Sequence, residues 1–167
     1  MTQKVTPWLW FDTEAENAAN DYVRIFSGRP GATPGDSKIN EISRFGEAGP
    51  REAGMVVTVT FTLAGQEFAG LNGGPEFQFD ESVSLMVDCK DQGEVDYFWD
   101  ALLENGGKES QCGWLKDRYG FSWQIVPGAF GRLMSDPDPE RARRATEAML
   151  KMVKLDVAEL ERAANAS

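Results

Sequence analysis

Two stretches of the chain repeat the same order of sequence patterns, and this duplication restricts the possible folds more than any other feature. The motif LWFD at residues 9–12 returns as LMVD at residues 85–88, which is 76 positions later. Each copy is typical of a strand and is followed by apolar residues at helical spacing. Near the end of each half, Gly65, Phe68 and Leu71 return after 55 positions as Gly120, Trp123 and Val126. The repeat predicts two modules of one supersecondary type.

Hydrophobic periodicity predicts a strand, a helix and three further strands in each half. In the first half we expect a strand at 5–11, a helix that ends at Gly28, and strands at 39–45, 55–63 and 67–72. In the second half we expect a strand at 83–88, a helix at 93–103, and strands at 108–111, 113–116 and 121–126. Thr13 and Glu16 have the Thr-x-x-Glu spacing of a capping box, which predicts where the first helix starts.

These patterns predict an α+β fold in which two βαβββ modules, residues 1–79 and 80–130, form a curved mixed sheet trough with the helices behind it. We expect residues 131–167 to add extra C-terminal helices and the whole chain to form one structural domain. The concave face of such a trough is a natural place for a ligand. The alternative is an α+β domain whose halves share only strand and helix periodicity.

The C-terminal segment has a different pattern, which is helical throughout. Asp138 predicts the cap of a helix that starts at Pro139, and Asp156 predicts the cap of a shorter helix. The two helices carry thin apolar stripes, formed by Ala142, Ala145, Met149 and Met152 and by Val157, Leu160 and Ala164. We expect these stripes to pack against the sheets or against another subunit, so they favour a homodimer.

The charge of the chain excludes several classes of partner. It has 27 acidic and 17 basic residues, and thus a net charge of −10. Nucleic acids and anionic membrane surfaces are bound through Lys and Arg, so we expect neither as a partner. No apolar stretch approaches the roughly 20 residues that span a bilayer. The N-terminus lacks the pattern of a signal peptide and there are only two cysteines, so we expect a cytoplasmic protein.

The sequence contains no histidine. This excludes every mechanism that uses an imidazole base and every metal site with histidine ligands. Cys112 lies close to Lys116 in the sequence, but a nucleophilic thiol usually needs a histidine partner. We therefore interpret Cys112 as an idle thiol.

Five motifs together resemble a known family. They are TPWLWFD at 6–12, FGEAGP at 45–50, LNGGP at 71–75, CGWLKDRYG at 112–120 and LMSDPDP at 133–139. The chain resembles the PhnB-like family, often labelled demethylubiquinone methyltransferase-like, of the glyoxalase/bleomycin resistance/dioxygenase superfamily, also called the vicinal oxygen chelate superfamily. The resemblance implies paired βαβββ modules and commonly a homodimer. It does not imply one reaction, because the superfamily includes isomerases, dioxygenases, transferases and binding proteins.

The resemblance also implies where a metal would be bound. Superfamily enzymes place one ligand on the first and last strand of each module, which corresponds here to Thr6, Ala69, Ser82 and Gln124. An alanine cannot ligate a metal, and hydroxyl and amide groups are weak ligands for most transition metals. We therefore expect neither a metal nor another cofactor. The methyltransferase label lacks a cofactor motif, because the glycine-rich stretch 70–74 runs into Pro75 and into no predicted helix.

Aromatic residues and a few polar ones indicate an aromatic-walled pocket for a flat or apolar ligand. The ligand-binding candidates are Trp8, Trp10, Asn72, Phe77, Trp114, Lys116 and Gln124. Trp8 and Trp10 share one face of a strand because side chains alternate with period two. Glu76 is the catalytic candidate, because a carboxylate enclosed by aromatic rings is a suitable general base. The alternatives are core packing for each ring and an ordinary exposed position for Glu76.

The sequence thus favours a metal-independent small-molecule-binding protein. In an enzymatic version of this hypothesis Glu76 is the base, and Asn72 and Gln124 orient the substrate. A second version is a sequestering protein without catalysis, similar to the bleomycin-resistance proteins. A third is a structural or regulatory dimer whose trough is filled by its own side chains.

Overall fold

The computed structural model describes residues 3–166. Within these residues it has an α+β architecture with two four-stranded mixed sheets and five helices. The chain divides into two compact units, the first ending at Phe79 and the second beginning at Asp80. None of the described helices combines the length and apolar character that crossing a bilayer requires.

The first unit is a βαβββ module, as the sequence predicts. Its elements are β1 (Trp8–Phe11), α1 (Ala15–Gly28), β2 (Lys38–Arg44), β3 (Val56–Leu63) and β4 (Gln66–Asn72). The strand order is β1-β4-β3-β2, with β1 parallel to β4 and the other pairs antiparallel. The helix therefore connects an edge strand to the far side of the sheet.

Alternation along the strands decides which face α1 covers. Leu9 and Phe11 are buried, whereas Trp8, the first residue of β1, is exposed. α1 contributes small side chains and then large ones to the core: Ala15, Ala18, Ala19, Tyr22, Ile25 and Phe26. The ring of Phe61 stacks on Phe68 with centroids 5.6 Å apart. Burying each such ring contributes about 1.5–3 kcal/mol, so this face holds the unit together.

The second unit begins with the same topology. Its elements are β5 (Ser84–Cys89), α2 (Gln92–Leu103), β6 (Lys108–Glu109), β7 (Trp114–Lys116) and β8 (Ser122–Pro127). The strand order is β5-β8-β7-β6, again with the first strand parallel to the last. Asp91 caps α2 by accepting a hydrogen bond of 3.0 Å from the Glu94 amide. The prediction of two βαβββ modules is confirmed.

The ladders correct one detail of the repeat. Trp8 pairs with Ala69, and its counterpart Ser84, 76 positions later, pairs with Ser122. The last strands are therefore related by 53 positions, not by the 55 that the sequence match predicts. The cause is the hairpin turn, which has two residues after Leu63 but five after Lys116. Because the discrepancy is an even number, the same faces of the strands still correspond.

The second unit continues into three helices: α3 (Gly128–Met134), α4 (Pro139–Met149) and α5 (Val157–Asn165). Asp138 and Asp156 cap α4 and α5 through the amides of Glu140 and Glu159, as predicted. The sequence reading did not include α3.

The predicted packing of the C-terminal stripes is wrong. Their buried residues pack on each other and on Leu133 of the unpredicted α3, in a small core of Leu133, Ala145, Leu160 and Ala164. Because α3 supplies the missing apolar surface, these stripes no longer argue for a second subunit.

Candidate functional site

Each sheet has one face covered by the helix of its own module and one face that this helix does not cover, which we call its open face. The first open face carries Trp8, Trp10, Thr58, Thr60 and Leu71, which are paired across β1, β4 and β3. The second open face carries Ser84, Met86, Trp114, Lys116 and Gln124, paired across β5, β8 and β7. Most of the predicted ligand-binding residues lie on these two faces.

On the first open face, Trp10 is held by the loop that follows β4. Its indole Nε1 donates a hydrogen bond of 2.8 Å to the Gly74 carbonyl oxygen. Phe77 meets the indole edge to face, with ring centroids 5.0 Å apart. A Cβ at Gly73 would lie only 2.2 Å from the Trp10 ring, so only glycine lets the loop cross the indole. The predicted residues Trp10 and Phe77 are therefore in contact, although Trp10 is 64 positions from Gly74.

Trp8 lies beside Trp10 on the first open face and is far more accessible. Its side chain is 57% exposed, and that of Phe77 is 65% exposed. The indole N–H of Trp8 has no acceptor within residues 3–166. Large exposed rings with a spare donor are unusual in a monomeric surface and are typical of binding sites.

Glu76, the predicted base, lies in the same loop but is exposed and not enclosed by rings. A Cβ at Gly74 would lie 2.4 Å from Glu76 Oε2 and 2.6 Å from Arg51 Nη2, so both charged groups reach this glycine. Arg51 also donates to the Asp12 carbonyl oxygen, at 3.2 Å. Arg51 is thus the charged neighbour of Glu76, which the sequence could not reveal because it comes from the β2–β3 loop.

Asn72 is not on an open face. It is 5% exposed, and both ends of its amide are engaged with the backbone. Oδ1 accepts a hydrogen bond of 2.9 Å from the Ala15 amide, and Nδ2 donates one of 3.0 Å to the Val56 carbonyl oxygen. Asn72 therefore supplies the cap of α1 from a neighbouring strand.

This cap replaces the one that the sequence predicts. The capping box of Thr13 and Glu16 does not form, because α1 starts at Ala15 and Glu14 takes the cap position without a side-chain cap bond. The Glu16 carboxylate instead pairs with Arg44, at 2.7 Å. The prediction of a capping box is wrong.

The second open face has a row of three paired residues, Met86, Gln124 and Trp114. Met86 is 62% exposed, and Trp114 is half-buried. Gln124 Nε2 donates a hydrogen bond of 2.8 Å to Ser84 Oγ. Within the described part of the chain, Gln124 Oε1 accepts no hydrogen bond and the Trp114 indole N–H donates none. The row thus offers an apolar side chain, an amide oxygen and a ring with a donor.

Lys116 ends the second open face, and its charge is already partnered. Its Nζ lies 2.6 Å from Glu81 Oε1. The hydrogen bond from Lys116 lowers the pKa of the Glu81 carboxyl below its ordinary value. An anionic ligand group would have to compete with Glu81 for this ammonium.

The neighbouring Trp123 lies in the core and not in a site. It is 1% exposed, and its Nε1 donates a hydrogen bond of 2.8 Å to Asp117 Oδ2. The other oxygen of Asp117 accepts from the amides of Tyr119 and Phe121, at 2.9 and 3.0 Å. Asp117 thereby closes the turn between β7 and β8 behind the second open face.

The positions implied for metal ligands do not suit a metal. Ala69 has no donor atom, and Ser122, its counterpart by strand pairing, is buried. The Gln124 side chain offers one amide oxygen, a weak ligand for most transition metals, while its nitrogen donates to Ser84. Within the described residues there is no group of three or more His, Cys, Asp or Glu that could hold a metal ion. The donor chemistry at these strands therefore does not fit the metal of the superfamily enzymes.

One cavity was not anticipated from the sequence. It has a volume of about 540 Å³ and lies at the start of α1, lined by residues that include Thr13, Asn17, Glu52 and Met55. Asn72 and the Glu16–Arg44 ion pair also line it. Its charged groups come from α1 and from the β2–β3 segment, which no local pattern brings together.

The profile of the 3-demethylubiquinone-9 3-methyltransferase family matches residues 3–126. The PhnB protein from Bacillus cereus is 35% identical, with a TM-score of 0.65, and the match covers 75% of this chain and 99% of that protein. Protein PA1353 from Pseudomonas aeruginosa is 16% identical over 75% of this chain and 98% of its own, with a TM-score of 0.59.

A glyoxylase/bleomycin resistance protein/dioxygenase domain from Frankia is 13% identical, with a TM-score of 0.44, over 76% of this chain and 92% of that domain. No curated protein gives a match. A family profile that spans most of the chain and a relative of 35% identity decide the classification. The chain belongs to the PhnB-like 3-demethylubiquinone-9 3-methyltransferase family.

Proposed function

We propose that the protein binds a small, flat and largely apolar molecule through the aromatic side chains of its open faces. The observation that carries this proposal is the placement of Trp8, Trp10 and Trp114 on the faces that the helices do not cover. Aromatic rings contribute large apolar area at low entropic cost, and an indole N–H adds one directed hydrogen bond. The free donors of Trp8 and Trp114 are therefore suited to a guest with a ring and a carbonyl or similar acceptor.

Two further groups support this class of ligand. On the second open face Gln124 Oε1 can accept one hydrogen bond from a guest, and on the first open face Phe77 adds a ring beside Trp10. Pockets for such molecules are mostly apolar, with a few polar groups that fix orientation. Binding without a metal is supported by the donor chemistry, because Ala69 has no donor atom and the single amide oxygen of Gln124 is a weak ligand for most transition metals.

The family label names a methyl transfer, and we do not propose this reaction. A methyl donor of the nucleoside type is usually held by a glycine-rich turn between a strand and a helix. Here β4 leads into the loop at 73–77 and then to β5, without a helix between them. The glycines of this loop have structural roles: Gly73 lets the backbone pass over the Trp10 ring, and Gly74 leaves room for the Glu76 and Arg51 side chains.

The binding proposal is tested with 1-anilinonaphthalene-8-sulfonate, an aromatic anionic probe whose fluorescence rises when its rings bind an apolar surface. We expect Trp8→Ala and Trp114→Ala each to weaken probe binding by about tenfold, since a buried ring contact contributes about 1.4 kcal/mol or more. Leu150→Ala is the matched control, because it removes a side chain that is 60% exposed on the C-terminal helices. Equal affinity in all four proteins would contradict the proposal.

Native mass spectrometry of the freshly purified protein tests the same proposal without a chosen probe. We expect the spectra to show subunits of 18.5 kDa, either with a retained organic molecule or without one, and in neither case with a metal ion. A stoichiometric metal ion that resists dialysis would overturn binding without a metal. The same spectra test the homodimer, which we propose on the family resemblance alone.

Catalysis and sequestration differ in the role of Glu76, so one substitution at this residue distinguishes them. Glu76→Gln preserves shape and removes the charge that faces Arg51. Once a retained molecule is identified, a base would lose turnover much more than affinity on this change. In a sequestering protein, affinity alone can change. The exposure of Glu76 favours sequestration, because a general base normally works where water is excluded.

A further inference from the structure

Residues 127–167 lie outside the family match, which ends at 126. Within them, residues 152–157 run from the α4–α5 connection into the first residue of α5 and lie along the turn that precedes β7. We call residues 152–157 the C-terminal strap. Its contacts are directed at the residues next to Trp114.

Two consecutive amides of the turn donate to two consecutive carbonyl oxygens of the strap. The Cys112 amide donates to the Met152 oxygen and the Gly113 amide to the Val153 oxygen, both at 2.8 Å. Both turn residues have positive φ, +58° and +83° respectively. This conformation is unfavourable for cysteine, so surrounding contacts must hold it. The strap supplies the hydrogen-bond acceptors that do so.

The strap is fixed in turn by one amide side chain of α2. Gln92 Nε2 donates to the Leu155 carbonyl oxygen at 3.2 Å, and Gln92 Oε1 accepts from the Val157 amide at 2.8 Å. Lys154 pairs with Asp96, at 2.8 Å. The Leu155 side chain is 1% exposed and lies on Gly113, where a Cβ would be 3.1 Å from it.

The turn connects the strap to the second open face. The Gly113 carbonyl oxygen accepts a hydrogen bond of 2.7 Å from the Ile125 amide. Gly113 directly precedes Trp114, and Ile125 directly follows Gln124, which pairs with Trp114. The position of Gly113 therefore sets the spacing of the ring and the amide on that face.

We propose that the C-terminal strap is a positioning element for Trp114 and Gln124, so that strap docking and ligand binding at the second open face are coupled. The proposal rests on the proposed function of this face. A docked strap holds the strained turn and with it the binding geometry. By linkage, a ligand that needs this geometry must stabilise the docked strap to the same extent.

Gln92→Ala removes the clamp without touching the face. We expect hydrogen exchange at the Cys112 and Gly113 amides to become about tenfold faster or more, because their acceptors move away. The indole N–H resonance of Trp114 should shift, and binding of 1-anilinonaphthalene-8-sulfonate should weaken. Saturating probe should slow exchange at the two amides in the unmodified protein. Gln78→Ala, at an exposed glutamine of the first unit, is the matched control and should change none of these.

The possible results separate this inference from the proposed function. If the two amides exchange faster but the Trp114 resonance is unchanged, the strap does not position the ring and the inference fails. If Gln92→Ala and a second variant, Leu155→Ala, both leave the amides protected, the strap does not hold the turn and the inference also fails. If the resonance shifts but neither Gln92→Ala nor Trp114→Ala alters probe binding, the strap does position Trp114, and it is the proposed function of this face that fails.

Discussion

Substitution of Asn72 by alanine tests whether this residue serves the fold or a ligand. The change leaves the Ala15 amide and the Val56 carbonyl oxygen without partners, and both are engaged at a site where Asn72 is 5% exposed. An unpaired buried backbone group costs about 1–3 kcal/mol, so the two together should cost about 2–6 kcal/mol of unfolding free energy. This exceeds the loss of an ordinary helix cap, about 1 kcal/mol, because a second hydrogen bond is lost with it.

The loss is measured by urea denaturation followed by circular dichroism. With a typical urea dependence, the midpoint should fall by roughly 1–2 M. Asn40→Ala is the control, because Asn40 is exposed on β2 and bonds only to the Thr62 side chain. We expect it to cost less than about 0.5 kcal/mol. A stability loss for Asn72→Ala as small as this, together with weakened probe binding, would refute the reasoning and return Asn72 to the ligand site.

Three further outcomes follow from buried or paired groups. Burial, and then nearby carboxylates, raise the pKa of the Cys89 thiol to about 12. A thiol reagent at pH 8 should therefore label one cysteine in the folded protein and two in urea, and Cys112→Ser should remove the folded-state signal. The Arg29 hydrogen bond lowers the pKa of Asp36 to about 2. The stabilisation of the folded state by this pair is therefore complete above about pH 4 and is lost as the pH falls through 2. Arg29→Gln should raise the pKa of the Asp36 carboxyl in an NMR titration, and an unchanged pKa would contradict the role given to Arg29. Trp123→Phe leaves a buried carboxylate without its indole donor and should cost about 1.5–3 kcal/mol in the urea assay, whereas a neutral change would show that the bond contributes little.

Much of the fold could be predicted because its signals are local. Alternation at 55–63 predicted β3, and period two placed Trp8 and Trp10 on one face. The strands are shorter than predicted where their pairing partners end. The predicted strand at 5–11 shortens to Trp8–Phe11, because its ladder with β4 begins at Ala69. The strand at 108–111 shortens to Lys108–Glu109, where the ladder with β7 ends.

The failures arise where a residue depends on a distant partner. Asn72 caps a helix that starts 57 positions earlier, which no local motif can show. The sequence pattern does not predict α3, because Gly128 and Gly131 are poor helix formers and its Leu133 packs against residues of α4 and α5. The same omission made the C-terminal stripes look unpartnered. In each case tertiary packing decided the outcome over local propensity.

The two modules show how duplication can preserve a fold and still change a site. At helix-covered positions of the first strands the counterparts remain apolar, as Leu9 and Leu85 do in β1 and β5; in the last strands the buried cap residue Asn72 is an exception, because it corresponds to Ile125. On the open faces they differ in chemistry: Trp8 and Trp10 correspond to Ser84 and Met86, and Leu71 corresponds to Gln124. Core positions are limited by close packing, whereas open-face positions are limited only by what they contact. The exchange of aromatic for polar or flexible side chains on the open faces is expected if these faces carry the function, and substitutions there should alter ligand binding with little loss of stability.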